Sequence, residues 1–290
     1  MGEGKDDDGW NHLDFDRDIE LGERIGGGGV GVIYKGWFQD KPVALKTLFD
    51  PRVDEKLKQE YLDELLVMSK LNHSNIVSFL GACMVPPNLC FVMELCQDSL
   101  YHLLHVDRVN YSESDCIRIA LDVASAMEYL HSLKPVIIHR DLKSLNVLIA
   151  FNGAAKICDF GLVKNVNTQA GTPAYMAPEL FQNKSYNKSV DVYAFAILFW
   201  EILSGEVPFY MQEIMDIRQK VMGGSRPRIP ATISPRCSRL IQRAWEQNGR
   251  ERPDFTEIVD ELLDISDSLP DSKHTEDVGG VDALDSLLHK

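Results

Sequence analysis

Three glycines, a lysine and a glutamate near the start of the chain have the types and spacing to handle a phosphate. Gly26, Gly28 and Gly31 lie in Ile25–Gly36 (IGGGGVGVIYKG) and satisfy G-x-G-x-x-G. With no Cβ in the way, backbone amides there can approach phosphate oxygens and donate to them. In a dinucleotide-binding unit this motif runs from a strand into a helix. Here β-type sequence lies on both sides, which favours a hairpin laid over a nucleotide; a flexible glycine hairpin without a ligand is the alternative. Lys46 ends the apolar run Val43-Ala44-Leu45. Leu57, Tyr61, Glu64 and Met68 recur at helical spacing, so Glu64 shares a stripe with apolar groups. An unpaired carboxylate in such a place is costly. Lys46 is its candidate cation, and Glu60, one turn earlier, is the competing partner.

Three later strings add to this set: His139–Asn146 (HRDLKSLN), Asp159-Phe160-Gly161 and Ala177-Pro178-Glu179. Each could arise by chance, but their joint order and spacing hardly could. With them the chain resembles the eukaryotic protein kinases over roughly Asp14 to Ser268. The resemblance implies an α+β, bilobal fold. A small β-rich N-lobe with one main helix would span about 14–93, a hinge 94–96, and a larger helical C-lobe about 97–268. An acidic leader (1–13) and an acidic tail (269–290) would flank them.

Phosphoryl transfer needs positioning and charge neutralisation more than covalent chemistry. The resemblance accordingly implies ATP and Mg²⁺ as cofactors, with a role for each matching residue. The Gly26–Gly31 loop, opened by Ile25, would cover the phosphates. Lys46 would hold the α- and β-phosphates, braced by Glu64. Asn146 and Asp159 would bind the metal through hard oxygens. Asp141 would accept the proton of the substrate hydroxyl, and Lys143 would neutralise the γ-phosphate. Ile33, Ala44 and Leu148 match the apolar positions around adenine, Met93 the gatekeeper, and Glu94 to Cys96 the hinge.

Lys143, two residues after Asp141, and Gly171–Met176 resemble the serine/threonine-specific pattern. Val221–Pro230 and Leu240–Phe255 resemble the tyrosine-kinase-like group, including Raf-like and mixed-lineage kinases, which is mostly serine/threonine-specific. The implied partner is a protein with a Ser or Thr acceptor. A kinase-like scaffold with little activity and a dual-specificity kinase are the alternatives. The first would typically lack the equivalents of Lys46, Asp141 or Asp159, and all three are present. For regulation, a phosphate on Thr168 would order the activation segment through Arg140 and Lys164. Met68, Leu80, His139 and Phe160 match an apolar spine between the lobes, and Glu179 and Arg252 an anchoring ion pair. Asp191 would accept backbone N–H bonds near the catalytic loop. Cys158 reads as a buried, inert thiol.

These residues need elements to hold them. Short β-rich runs at Ile19–Ile25, Val32–Phe38 and Val43–Leu48 predict three antiparallel strands. A helix is predicted from about Val53 to Leu71, then two apolar runs, Ile76–Cys83 and Leu89–Leu95. Ser112–Asp115 reads as a capping box that opens a long helix, and short strands flank Asn152-Gly153. Further helices are predicted at 187–204, 210–222, 234–246 and 254–265. Asp191–Leu203, apolar nearly all round, suits the centre of a lobe.

Composition narrows the function classes. The 290 residues are 44% apolar and 26% charged, a soluble globular mixture. The net charge of −14 concentrates at the ends: eight acids against two bases in residues 1–20, and seven against two in residues 264–290. The body is nearly balanced, with no basic excess to suit a nucleic acid. Six cysteines without a CxxC fit free thiols in a reducing compartment. The longest apolar run, Val192–Trp200, is too short to cross a bilayer. Met1-Gly2 invites a myristoylation reading that Asp6 argues against. The expectation is a cytoplasmic chain without a transmembrane segment or a nucleic-acid partner, with a kinase-domain dimer left open.

Overall fold

The computed structural model describes residues 10–28, 31–48, 55–85, 88–160, 171–182 and 185–269. A short turn of helix, α1 (Phe15–Asp18), is capped by Asp14. It leads into β1 (Ile19–Gly28), β2 (Gly31–Phe38) and β3 (Lys41–Leu48), then helix α2 (Glu55–Met68), β4 (Phe79–Cys83) and β5 (Leu89–Glu94). The five strands form one antiparallel sheet in the order β1-β2-β3-β5-β4. A second, three-stranded sheet joins β6 (Asp98–Ser99), β7 (Val147–Ile149) and β8 (Ala155–Ile157). The rest is helical: α3 (Leu100–His105), α4 (Glu113–Ser132), α5 (Pro178–Phe181), α6 (Ser189–Ser204), α7 (Ile214–Met222), α8 (Pro235–Ala244) and α9 (Phe255–Asp267). This is the expected bilobal α+β arrangement.

Alternation along β3 and β5 decides where Lys46 goes. Cross-strand partners share a face, and Val43, Leu45, Cys90 and Val92 join Ile19 in a cluster on one side. Ala44 and Lys46 lie opposite Met93 and Phe91, on the face turned to the main core. The same period corrects the spine. Leu80 packs against the Ile19–Leu45 cluster, on the far side of the sheet. Its neighbour Phe79 packs against the main core instead, with its ring 6.4 Å from Phe91. A register error of one residue moves a strand side chain to the other face.

The leader expected over residues 1–13 is not loose at its end. Leu13 N–H donates to the Ala82 carbonyl at 2.9 Å, and Ala82 N–H donates to the Asn11 carbonyl at 3.0 Å. The Asn11 side chain reaches the Leu80 carbonyl at 2.8 Å. Residues 11–13 thus run parallel to β4 and pair with its otherwise open edge. Trp10 is buried in the main core. A lone tryptophan after an acidic run was the available signal.

In the C-lobe α6 is the pillar. Every residue from Val190 to Ile202 is buried, including Asp191 and Glu201. Gly205, in the left-handed region at φ 67°, closes the helix by donating to the Glu201 carbonyl, a conformation that favours glycine. The Ser112–Asp115 capping box is present, with Asp115 N–H on Ser112 Oγ at 3.1 Å and Ser112 N–H on Asp115 Oδ2 at 3.3 Å. The helix predicted to begin at 210 begins at Ile214, because Phe209 and Met211 adopt left-handed φ values of 55° and 58°. No helix among the described residues is long and apolar enough to cross a membrane.

Candidate active site between the two lobes

The sheet lobe contributes a clamp. Lys46 Nζ donates to Glu64 Oε1 at 2.6 Å and lies 3.6 Å from Asp159 Oδ1. Burial pushes the Glu64 carboxyl up from its usual range, and the Lys46 ammonium opposes that shift. The competing partner, Glu60, has its side chain outside the described residues. The register sets Gly26 beside Ile33 and Ile33 beside Lys46, so the glycine run leads across the strands to the lysine. The β1–β2 ladder continues to Gly28 opposite Gly31, with a strand on both sides as the sequence suggested. Ile25 is exposed at the start of this loop, and Ala44 sits opposite Met93.

The hinge is tied from both sides. Glu94 accepts from Ser78 N–H at 2.6 Å and from Lys156 Nζ at 2.8 Å. Cys96 is buried, and desolvation pushes its thiol up to about 11. Leu148, on β7, faces Ser99 and Lys156 across the small sheet.

The helical lobe contributes a closed polar ring. Asp141 Oδ2 accepts from Lys143 Nζ at 2.6 Å and from Asn146 Nδ2 at 3.1 Å. Its Oδ1 accepts from Thr172 N–H and Thr172 Oγ1, each at 3.0 Å. Lys143 Nζ closes the ring on Thr172 Oγ1 at 2.8 Å. Asn146 also donates to the Asp141 carbonyl at 2.8 Å. Its amide nitrogen is therefore committed to Asp141, and its oxygen is left as the available donor atom. The half-exposed Asp159 supplies a carboxylate, with a left-handed φ of 64°. One neutral and one anionic hard oxygen suit Mg²⁺, which keeps waters and takes phosphate oxygens for its remaining positions.

A buried layer fixes the loop that carries Asp141. Asp191 accepts the N–H groups of His139 at 2.9 Å and Arg140 at 2.8 Å, as well as His131 Nε2 at 2.9 Å. His139 is fully buried, its ring 5.3 Å from that of Phe160. Its Nε2 meets the Cys158 carbonyl at 3.1 Å, and its Nδ1 accepts from Asp141 N–H at 3.3 Å. Those partners assign the neutral tautomer with the proton on Nε2, which suits a packed residue and not a proton shuttle. The Cys158 thiol is pushed well up by desolvation and the neighbouring Asp159.

Two positioning groups escaped the sequence reading. Glu201, fully buried on α6, accepts from Ser144 Oγ at 2.8 Å and Tyr175 OH at 2.7 Å, and meets His105 Nε2 at 2.8 Å. It ties the Asp141–Asn146 loop to the segment after Thr172. Burial, then the Glu201 charge, holds the Tyr175 phenol well above its ordinary range. A glutamate inside an otherwise apolar helix was the signal, since such a charge demands partners. Thr172 is the other, visible only as part of a short string. Arg252 grips Glu179 through both guanidinium ends, at 2.7 and 3.0 Å, as the resemblance implied. Arg140 donates through Nη1 to Tyr186 OH at 2.8 Å. Thr168 and Lys164 lie outside the described residues, as does Gly161.

A β-rich lobe with a lysine–glutamate clamp, set over a helical lobe that fixes an aspartate, lysine and asparagine on one loop, defines a protein kinase domain. Residues 19–262 match the family described as protein tyrosine and serine/threonine kinase, and the chain belongs to that family. It is 36% identical over 256 residues to the serine/threonine-protein kinase STY46 of Arabidopsis thaliana, a match covering 86% of this chain and 44% of the relative. The corresponding figures for STY17 of the same plant are 33% over 282 residues, 94% and 49%. A dual specificity protein kinase of Dictyostelium discoideum, shkC, is 38% identical over 257 residues, covering 84% and 51%. The chain spans about half the length of these relatives.

Proposed function

We propose that this chain is the catalytic domain of a Raf-like or mixed-lineage-like protein kinase that phosphorylates Ser and Thr hydroxyls, with ATP as donor and Mg²⁺ as its metal. The observation that carries this reading is the Asp141–Lys143–Thr172 ring. Bound together, ATP and Mg²⁺ supply the phosphoryl group and the cationic charge that offsets its oxygens.

The chain's own residues then have these tasks. Lys46, held by Glu64, binds the inner phosphates, and the Gly26–Gly31 amides lie over them. Asn146 and Asp159 hold the metal. Ile33, Ala44 and Leu148 provide apolar walls for the base, and the Glu94–Cys96 backbone its polar edge. Asp141 orients the acceptor hydroxyl and takes its proton. Its carboxylate is saturated by four donors, so an incoming hydroxyl must displace one of them. Thr172 and Lys143 are the nearest exchangeable donors. Lys143 is then free to face the transferred group, where a cation offsets developing charge. The similarity to STY46 and STY17, both serine/threonine-protein kinases, supports the Ser/Thr assignment.

The test is transfer from Mg-ATP to arrayed peptides carrying Ser, Thr or Tyr as the sole acceptor, read by mass spectrometry. Phosphate is expected on Ser and Thr. Transfer to Tyr at a comparable rate would replace this reading with dual specificity, and transfer to none would end it.

A further inference from the structure

Glu201 lies fully buried in α6, and a carboxylate in such a place stays ionised only through the groups that donate to it. Ser144 Oγ and His105 Nε2 each reach its Oε1 at 2.8 Å, and Tyr175 OH reaches Oε2 at 2.7 Å. Two of these partners are hydroxyls, which can donate or accept. They also lie 3.3 Å from one another, close enough for either to donate to the other. With a protonated Glu201 the two hydroxyls would be free to reverse their bonds. Of the three partners, only the imidazole can carry positive charge. Its Nε2–H on Oε1 keeps Glu201 an acceptor at both oxygens, and that obliges Ser144 and Tyr175 to donate.

Helix α3 brings His105 to this place. Ser99 caps the helix by accepting from His102 N–H at 3.2 Å, and Leu100, Leu103 and Leu104 are buried. At the end of the helix the His105 side chain is only 9% exposed, so water has little access to replace it on Glu201. The His105 ring sits 4.9 Å from that of Tyr101, one turn earlier. The same helix packs on the turn Ser144–Asn146.

The groups held by Glu201 belong to the acceptor side of the site. Ser144 is on the loop whose Lys143 and Asn146 both bond Asp141. Tyr175 ends the turn that follows Thr172, and Thr172 bonds Asp141 through its N–H and its hydroxyl. The Lys46–Glu64 clamp stands on other elements, β3 and α2.

We propose that His105 is a positioning residue for phosphoryl transfer: through Glu201 it fixes the hydroxyls of Ser144 and Tyr175, and with them the acceptor side of the site around Asp141. The proposal rests on the Ser/Thr kinase reading and adds to it a residue from α3. Its test compares His105→Gln and His105→Asn in the full chain. The Gln amide can extend to the place of Nε2, whereas the Asn amide ends one carbon short of it. Both are neutral and polar, so loss of the bond to Glu201 is what separates them. Tyr175→Phe, alone and combined with His105→Asn, completes a double-mutant cycle.

For a Ser acceptor peptide, His105→Asn is expected to lower kcat/KM about tenfold while the KM for ATP stays within about twofold, as for a misplaced acceptor side. His105→Gln should recover most of that loss. In the Tyr175→Phe protein, His105→Asn should cost less than about threefold, because both residues act through one carboxylate. Ring-nitrogen NMR of the histidine-labelled full chain should show His105 protonated on Nε2, with that N–H protected from exchange and its signal shifted by Glu201→Gln. Equal losses in the Asn and Gln variants, independent effects in the cycle, or an Nε2 without its proton would overturn the proposal. So would a rise in the KM for ATP that matches the loss toward peptide. No transfer by the wild type to any acceptor, with the His105 signal protected and moved by Glu201→Gln, would support the His105–Glu201 link and overturn the kinase reading instead.

Discussion

Asp191 and Glu64 are both buried carboxylates that serve the same site, one from each lobe, and they are held in different ways. Asp191 accepts from two backbone N–H groups and meets an imidazole nitrogen, all from C-lobe elements packed around α6. Glu64 is given one close cation, Lys46, which sits on a different element. Burial favours the protonated form of Glu64. The Asp191 network forms with the fold of its lobe. The Lys46–Glu64 pair exists only while α2 stands against β3.

The comparison is broken most easily at Asp191. Replacing it with Ala leaves two buried N–H groups and His131 without their acceptor. We expect a loss of about 3 kcal/mol or more of stability, read from urea unfolding. Asp191→Asn, which keeps one acceptor oxygen, should lose less. An Asp191→Ala protein as stable as wild type would mean that the network is not built on this residue.

Glu64→Gln should have the opposite profile. Removing a costly buried charge is expected to leave stability within about 1 kcal/mol. The value of kcat/KM for peptide phosphorylation should nevertheless fall about a hundredfold as the clamp is lost. The same asymmetry sets a pH dependence. The folded pKa of Glu64 is raised, so the folded state holds this proton more tightly than the unfolded chain. This group's contribution to stability is therefore fully present below the unfolded value and is lost as pH rises through the folded value. Activity runs the other way, because protonation dissolves the pair. On acidification, kcat/KM should fall at a pH above the usual carboxylate range without a matching drop in melting temperature from this group. The Gln variant should lack that limb.

The smallest effect concerns thiols. Burial pushes the thiols of Cys90 in the N-lobe and Cys116 in the C-lobe each up to about 12. Neither thiol forms an accessible thiolate while buried, so alkylation of either one reports local opening. Iodoacetamide labelling followed by mass spectrometry should modify Cys90 before Cys116. The reverse order would place the less stable lobe on the wrong side of the comparison.

Features with a strong pattern were legible in the sequence. Glu64 stood out as a charge in an apolar stripe, and Lys46 was the cation within reach. Asp191–Leu203 read as a buried helix from its unbroken apolarity. The string His139–Asn146 carried the resemblance, from which the Glu179–Arg252 pair and the roles within the loop followed. What was missed depends on facts that a linear pattern does not carry. Phe79 and Leu80 are adjacent and both apolar, and only the register, interrupted between Phe79 and Gly81, tells which faces the core. Residues 11–13 have no strand pattern of their own, and β4's open edge supplies their pairing. Thr172 becomes important only when folding brings it to Asp141, 31 residues earlier. Helix α7 starts late because two left-handed residues precede it, and no glycine there announces the turn.

The central claim is that Lys46, Asp141, Asn146 and Asp159 act together to move a phosphoryl group from ATP to an alcohol. Its most direct test is the initial rate of label transfer from γ-phosphate-labelled ATP with Mg²⁺ to a Ser acceptor peptide. Wild type, Lys46→Met and Asp141→Asn are compared, each checked for cooperative thermal unfolding. The account predicts transfer by the wild type, with both variants folded and slower by about a hundredfold or more. Equal rates in the three folded proteins would contradict it.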